Sequence, residues 1–103
     1  MGKEENGNEP EAVRIPIDGA LDLHAFDPRE AGDLLPEYIR LCRERGIFEI
    51  RVIHGKGSGV LREKVHSILR RLPEVSSFRI ADEQRGGWGA TIVSLKDNRL
   101  KHR

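Results

Sequence analysis

The segment 54–59, here called the glycine loop, constrains the fold most, because it joins an apolar run at 47–53 to a helical pattern beginning near Val60. Its glycines let the backbone approach a ligand and adopt positive φ, and Ser58 can cap the next helix. The free N–H groups of that helix then face the loop, and Lys56 adds a positive charge. A strand, a glycine-rich turn and a helix in this order predict an anion site.

The glycine loop does not fit the two common nucleotide-binding patterns. A P-loop requires glycine where Ile50 stands, and it has no glycine directly after its lysine, where this chain has Gly57. A dinucleotide fingerprint requires its last glycine where this chain has Val60. A simpler interpretation also remains open, in which the glycines only turn the chain and His54 makes an ordinary hydrogen bond at a strand end.

The distribution of charge favours a polyanion as partner. The chain has 18 basic and 17 acidic residues, but the first twelve residues carry a balance of −3 and residues 54–71 a balance of +4. A basic cluster beside a phosphate loop raises the local concentration of nucleic acid. The alternative is a charged helix face that is simply solvated.

Composition also excludes several classes of protein. The single cysteine, Cys42, excludes an internal disulfide and a thiolate zinc site, and its spacing on a helix predicts a core position. No apolar stretch has the length of a signal peptide or a membrane span, so we expect a cytoplasmic protein without membrane contact. A monomer is the default expectation.

The ends of the chain differ from its middle. Residues 1–12 are polar and acidic, which predicts a disordered tail, and residues 97–103 form a basic C-terminal tail. Residues 13–96 are predicted to form one domain. It begins with a short edge strand at 13–17, since Pro16 cannot donate to a central ladder.

Residues 20–25 alternate between apolar and polar side chains, which predicts a strand with Asp22 and His24 on one face and two leucines on the other. On that face Asp22 would orient His24, an imidazole suited to proton transfer at neutral pH. The alternative is that two unrelated polar residues share an exposed face.

The remaining pattern predicts two helices and three further strands. The first helix starts at Asp27 and ends at Gly46, with Pro36 producing a kink or dividing it into two short helices. The second helix buries one apolar stripe and leaves His66 on its solvated face. The strands lie at 47–53, 75–81 and 91–95. The glycine-rich connection 82–89 carries Arg85 and an exposed Trp88, which could contact nucleic acid; the alternative is that it is only a hairpin loop.

A strand, a helix and a strand of these lengths form a βαβ unit with parallel strands, so His24 and His54 should emerge at the same edge of the sheet. Ligands of open α/β sheets bind at that edge. We therefore expect Asp22, His24, His54, Lys56 and the N-terminus of the second helix to surround one cleft.

Three motifs carry a family resemblance: Leu21-Asp22-Leu23-His24, the segment 53–62 around the glycine loop, and Gly86-Gly87-Trp88-Gly89-Ala90-Thr91. In this order, over roughly residues 18–96, they resemble the Smr (small MutS-related) domain. The resemblance implies a two-layer α/β sandwich with a βαβαββ mixed sheet and two helices, similar to the C-terminal domain of bacterial translation initiation factor three. It also implies nicking or cleavage of DNA or RNA.

The resemblance assigns functional positions to Asp22, His24, His54, Gly55, Lys56 and Gly57. Further candidates for binding phosphate or nucleic acid are Ser58, Gly59, Arg62, Arg85 and Trp88. The chain departs from the family at Ala25, where members commonly carry glycine, and a methyl group there would narrow the approach of a phosphate.

The leading hypothesis is a phosphodiester endonuclease. His24, held by Asp22, would act as the base, Lys56 and the loop N–H groups would stabilise the phosphate, and His54 would be a general acid or a phosphate contact. Alternatively, Asp22, His24 and His54 could hold one divalent ion, Mg²⁺ or Mn²⁺, that activates water.

Two hypotheses from other classes remain beside the nuclease. One is a module without chemistry that recognises branched DNA or structured RNA by shape and charge. The other is a protein-interaction domain in which Trp88 anchors a partner.

Overall fold

A computed structural model of the chain describes residues 15–97. Its strands and helices follow one another as β1 (Ala20–Asp22), α1 (Ala31–Glu44), β2 (Glu49–Ile53), α2 (Val60–Arg71), β3 (Val75–Ile80) and β4 (Ala90–Leu95). Short 3₁₀ turns occupy Leu23–Ala25, Pro28–Glu30, Glu83–Arg85 and Gly87–Gly89. The predicted βαβαββ order is confirmed.

The four strands form one mixed sheet in the order β1-β2-β4-β3. Strands β1 and β2 are parallel, with Asp22 opposite Ile53, whereas β4 is antiparallel to both of its neighbours. The residues that follow β1 and β2 therefore leave the sheet at the same edge. This register places the two predicted histidine segments next to each other.

Both helices pack on one face of the sheet and enclose the main core. Its fully buried members come from every layer and include Leu21, Leu35, Ile39, Ile50, Val52, Val65, Leu69 and Val93. Burial of each such side chain contributes roughly 1.5–3 kcal/mol. On the other face, Ala81, Ala90 and Ile92 form a smaller cluster with Ile53 packed against it. The domain is therefore a two-layer sandwich, with the helices on one face of the sheet and only the small cluster on the other face.

The predicted edge strand at 13–17 is wrong in its described part. Residues 15–17 are not in a strand, while residues 13 and 14 lie outside the described residues. Pro16 has no N–H to donate, and pairing with β2 begins only where Arg51 N donates to the Gly19 carbonyl at 2.7 Å. Ile15 and Ile17 pack against the core instead. The acidic tail at 1–12 and residues 98–103 of the basic tail also lie outside the described residues.

The first strand is shorter than its alternating pattern predicts. It ends at Asp22 because the carboxylate of that residue accepts the backbone N–H of His24 at 3.1 Å and starts a 3₁₀ turn. Leu21 and Leu23 are both buried nevertheless. The period-two pattern was therefore right about burial and wrong about backbone conformation, and His24 is presented by a turn.

The predicted division of the first helix at Pro36 is wrong, since α1 runs through it from Ala31 to Glu44. Asp27 caps the 3₁₀ turn Pro28–Glu30 that leads into the helix, and its Oδ1 accepts Arg29 N at 2.9 Å. Gly32, whose carbonyl loses its partner, is exposed and can be solvated. Cys42 is a core residue, and burial raises the pKa of its thiol. No helix within residues 15–97 has both the length and the apolar character to cross a membrane.

A buried hydroxyl fixes the turn before β1. Tyr38 is 2% exposed, its hydroxyl accepts the N–H of Gly19 at 3.0 Å, and burial raises its pKa to about 12. Tyr38→Phe leaves that N–H without a partner, so we expect the free energy of unfolding to fall by about 1 kcal/mol in urea denaturation followed by circular dichroism.

The exposed hydroxyl of Ser76, which donates to the Ser94 carbonyl at 3.0 Å, provides the matched control. Ser76→Ala should change the stability less, because water replaces an exposed hydrogen bond. Equal losses in the two variants would contradict a specific role for Tyr38.

Candidate functional site

Asp22 and His24 form an exposed carboxylate–imidazole pair just after β1. His24 Nδ1 donates to Asp22 Oδ1 at 2.5 Å, and the side chains of His24 and Asp22 are 59% and 45% exposed. The same carboxylate oxygen accepts the His24 backbone N–H at 3.1 Å. With its proton held on Nδ1, the neutral ring presents a free lone pair on Nε2. The pair thus has the geometry of an oriented base.

This pair stands directly against the glycine loop. A Cβ added to Gly55 would lie 3.6 Å from the Cβ of His24 and 3.7 Å from its ring. Gly55 also has a φ of +85°, a conformation that side chains other than glycine rarely adopt. Glycine at this position lets the loop bend beside the imidazole.

The glycine loop opens into the N-terminus of α2. Gly59, at φ +93°, is the cap residue, and the Ser58 hydroxyl accepts the N–H of Val60 at 3.4 Å. A pocket of about 220 Å³ is lined by Pro28, His54, Gly55, Gly57, Ser58, Gly59, Val60, Leu61 and Arg62. Free N–H groups of the first helical turn favour a negative charge in such a place.

The third motif supports the loop from the opposite side. The carbonyl of Gly89 accepts the N–H groups of both His54 and Gly55, each at 2.9 Å. A Cβ added to Gly89 would lie 3.1 Å from Cγ of Lys56, so the exposed lysine side chain runs across this glycine. The three motifs therefore meet in one place, whereas the sheet topology had predicted a meeting of the first two only.

Arg62 and Trp88 extend this surface. The guanidinium carbon of Arg62 lies 5.6 Å from the centre of the Trp88 ring, and Trp88 is 61% exposed. A Cβ added to Gly59 would lie 2.8 Å from Arg62 Nη2, so this arginine stands between the loop and the tryptophan. The surface combines two cations, Lys56 and Arg62, with one aromatic face.

Arg85 is not brought to this surface. Its guanidinium pairs with Asp82 at 3.3 Å and with Glu49 at 3.1 Å, and Glu49 begins β2 at the end opposite His54. The Arg85 guanidinium holds the pKa of the Asp82 carboxyl below its usual range. The contacts give Arg85 a structural role on the outer face of the sheet, where its carbonyl also accepts Arg51 Nη1 at 3.2 Å.

His54 is buried, unlike His24. It is 4% exposed, with Nδ1 lying 3.2 Å from the Gly55 carbonyl and Nε2 2.9 Å from the hydroxyl of Thr91. Burial lowers the pKa of His54, and the charge of Arg62 lowers it further, against the hydrogen bond to Gly55. Both ring nitrogens are therefore occupied within the fold.

The placement of His66 on a solvated face is wrong. Its Nε2 lies 2.8 Å from Thr91 Oγ1, and its ring centre lies 4.9 Å from that of Phe78 and 6.0 Å from that of His54. Thr91 ends the third motif, but no role was predicted for it from the sequence. The available signal was the position of His66 three residues before the buried Leu69, at the border of the apolar stripe.

Asp22, His24 and His54 do not converge as a set of metal ligands. Within residues 15–97, no group of three or more His, Cys, Asp or Glu side chains is placed to hold a metal ion. His24 and Asp22 pair with each other at the surface, while both nitrogens of His54 bond inside the fold. These three residues therefore do not fit the one-ion site.

The sequence matches a family profile and is similar to longer relatives from bacteria. The profile of the Smr domain matches residues 21–96. A relative from Clostridium tetani, named endonuclease MutS2, is 38% identical in an alignment 98 positions long that covers 91% of this chain and 12% of the relative. Endonuclease MutS2 of Solidesulfovibrio magneticus is 56% identical over 76 residues, which are 74% of this chain and 10% of the relative. The chain thus spans about a tenth of the length of these relatives.

Two solved structures share the fold. The Smr domain of Thermus thermophilus MutS2 superimposes with a TM-score of 0.72 at 34% identity, covering 77% of this chain and 99% of that domain. YdaL, a stand-alone small MutS-related protein from Escherichia coli, also gives a TM-score of 0.72, at 22% identity, covering 93% of this chain and 79% of YdaL. The second likeness concerns the fold alone.

The two inner imidazoles predict a loss of stability on mild acidification. Burial lowers the pKa of both His54 and His66 from 6.5; at His66 the charges of His54, Arg70 and Arg62 lower it further, and Glu63 opposes them. Below about pH 6.5 the unfolded chain therefore binds more protons than the folded chain. We expect the free energy of unfolding to be highest above this pH and to fall as the pH drops through the folded-state pKa values, as measured by urea denaturation from pH 7.5 to 5.

His66→Gln removes one of these imidazoles and should make the dependence on pH shallower. Carboxyl groups of lowered pKa, such as Asp27, Glu37 and Asp82, have ordinary values of 3.8 to 4.5 and contribute mainly below this range. Identical pH dependence in the parent and the variant would contradict the assignment.

Proposed function

Because the chain belongs to the Smr domain family, we propose that it binds the phosphate backbone of DNA or structured RNA at the glycine loop and cleaves phosphodiester bonds there. The observation that carries this proposal is the exposed Asp22–His24 pair standing against Gly55. The relatives that share this domain are named endonucleases, which supports the same chemistry. We place the activity in the cytoplasm.

In the proposed reaction His24 acts as the general base. Its free Nε2 takes a proton from the attacking water or, on RNA, from the 2′-hydroxyl, and Asp22 stabilises the imidazolium that forms. Lys56 and the N–H groups at the start of α2 stabilise the negative charge that develops on the phosphate oxygens. As the new P–O bond forms, the P–O bond to the departing sugar oxygen breaks, and that oxygen takes its proton from solvent, because both nitrogens of the buried His54 are already bonded.

Arg62 and Trp88 give the surface its affinity for nucleic acid. The Arg62 guanidinium would pair with a neighbouring phosphate, and the exposed face of Trp88 would stack on an unpaired base. Such stacking is available in both RNA and DNA wherever a strand is unpaired. The contribution of Arg85 to binding, proposed from the sequence, is not supported by its ion pairs with Asp82 and Glu49.

A second candidate is a module that binds nucleic acid without cleaving it. The observation that favours it is the burial of His54, which removes one of the two imidazoles expected to transfer protons. Ala25 lies beside His24 on the exposed turn, and no residue other than glycine within 15–97 has a positive φ. Alanine is therefore compatible with the backbone conformation at this position. Its methyl group would affect binding or cleavage only by occupying space that a phosphate needs.

Cleavage of supercoiled plasmid and of a structured RNA separates these candidates. We expect the parent to cleave at least one substrate and His24→Ala to lose about 10²- to 10⁴-fold in rate, because the general base is gone. Asp22→Asn should also slow cleavage, because an amide no longer holds the proton on Nδ1 as a carboxylate does. Each variant should still bind nucleic acid on a gel.

The assay is run with magnesium, with manganese and with a chelator, so that a metal requirement is seen directly. Lys96→Ala, an exposed position at the other end of the sheet, is the control for a general effect of substitution. Binding by all the proteins without any product would establish the non-catalytic module, and equal loss of binding and cleavage in His24→Ala would contradict its role as base.

The salt dependence of binding identifies the phosphate contacts. Lys56→Ala and Arg62→Ala should each weaken binding and reduce the slope of log K against log salt by about one, because each cation releases a counterion. Lys96→Ala should leave the slope unchanged. Fluorescence anisotropy of a labelled hairpin over a series of salt concentrations measures both quantities, and equal slopes for Lys56→Ala and Lys96→Ala would contradict the proposed surface.

A further inference from the structure

Three polar side chains from three elements form a continuous hydrogen-bonded array beneath the glycine loop. Thr91, on β4, is fully buried, and its hydroxyl lies 2.9 Å from His54 Nε2 at the end of β2 and 2.8 Å from His66 Nε2 on α2. His54 Nδ1 continues the array to the Gly55 carbonyl at 3.2 Å. The reaction proposed above uses neither Thr91 nor His66.

The chemistry of the partners fixes the direction of every bond in this array. The carbonyl of Gly55 can only accept, so the proton of neutral His54 is on Nδ1 and its Nε2 must accept. Thr91 has a single hydroxyl proton, which it donates to that Nε2. The oxygen of Thr91 is then the acceptor for His66 Nε2–H. Burial, which lowers the pKa of both imidazoles, keeps them in the neutral forms that this arrangement requires.

The array ends on the peptide that joins Gly55 to Lys56. This peptide is trans, so its C=O and its N–H point in opposite directions. With the Gly55 carbonyl directed to the buried ring of His54, the N–H of Lys56 is directed away from the core. The N–H of Gly55 is held separately by the Gly89 carbonyl at 2.9 Å.

We infer that His66 and Thr91 are positioning residues that act through His54 to fix the Gly55–Lys56 peptide and present the Lys56 N–H to a phosphate. The inference rests on the proposed phosphate site at the glycine loop. It assigns His54 to the support of the loop instead of to proton transfer. It also gives the inner histidine of α2, which the sequence placed in solvent, a defined part in anion binding.

Nitrogen NMR of the free, folded protein tests the array without any nucleic acid. In the parent we expect His54 to carry its proton on Nδ1 and His66 to carry its proton on Nε2. Thr91→Val keeps the shape of the side chain and removes the hydroxyl, so His54 should populate both tautomers and the Lys56 amide resonance should shift. Thr91→Ser keeps the hydroxyl and should restore the parent spectrum.

A second pair of variants gives the same comparison from α2. His66→Gln retains an N–H donor near the position of Nε2, whereas His66→Leu has no donor. We expect the parent tautomer of His54 in His66→Gln and a mixture in His66→Leu. This pair decides the question if Thr91→Val does not fold.

Titration with inorganic pyrophosphate, followed at the Lys56 amide, connects the array to anion binding. Thr91→Val should bind pyrophosphate about threefold to tenfold more weakly than the parent and Thr91→Ser, as expected when one hydrogen bond loses its alignment. Unchanged His54 tautomers and an unchanged Lys56 amide in Thr91→Val would overturn the inference. If the parent has the expected tautomers but does not bind pyrophosphate, the proposed phosphate site itself is overturned.

Discussion

The candidate site depends on one carbonyl oxygen. Gly89 O accepts the N–H groups of His54 and Gly55 together, each at 2.9 Å, where β2 leaves the sheet. This contact joins two motifs that are more than thirty residues apart and sets the path of the glycine loop. His24 lies against Gly55, and Lys56 crosses Gly89, so both candidate side chains adjoin the loop segment that this contact holds.

Much of the fold followed from periodicity and from rules of connection. The apolar stripe of α2 and the apolar run at 47–53 identified these elements, and the parallel pairing of β1 with β2 placed two motifs at one edge. The predictions about the fold that were wrong depended on the contacts of single side chains. The carboxylate of Asp22 ended β1 early by accepting the backbone N–H of His24. A pattern of hydrophobicity does not show that a side chain competes with the neighbouring strand for such an N–H group.

The candidate site was less predictable, because its chemistry depends on partners distant in sequence. His24 and His54 belong to equally clear motifs, yet the first is at the surface beside a carboxylate and the second is buried between a hydroxyl and a carbonyl. His66 is hydrogen-bonded to Thr91, twenty-five residues away, and Arg85 pairs with Glu49, thirty-six residues away. A motif specifies residue types, whereas exposure and partners decide which of them can act.

The contact between Arg62 and Trp88 gives the domain an optical property. Trp88 is the only tryptophan of the chain, and it lies half in solvent with a guanidinium 5.6 Å from its ring centre. Indole emission responds to water and to nearby charge. At Trp88 the nearby charge is that of Arg62, which would pair with a phosphate in the proposed site. The molecule therefore carries its own fluorophore at the candidate site, and occupancy becomes visible without a label on either partner.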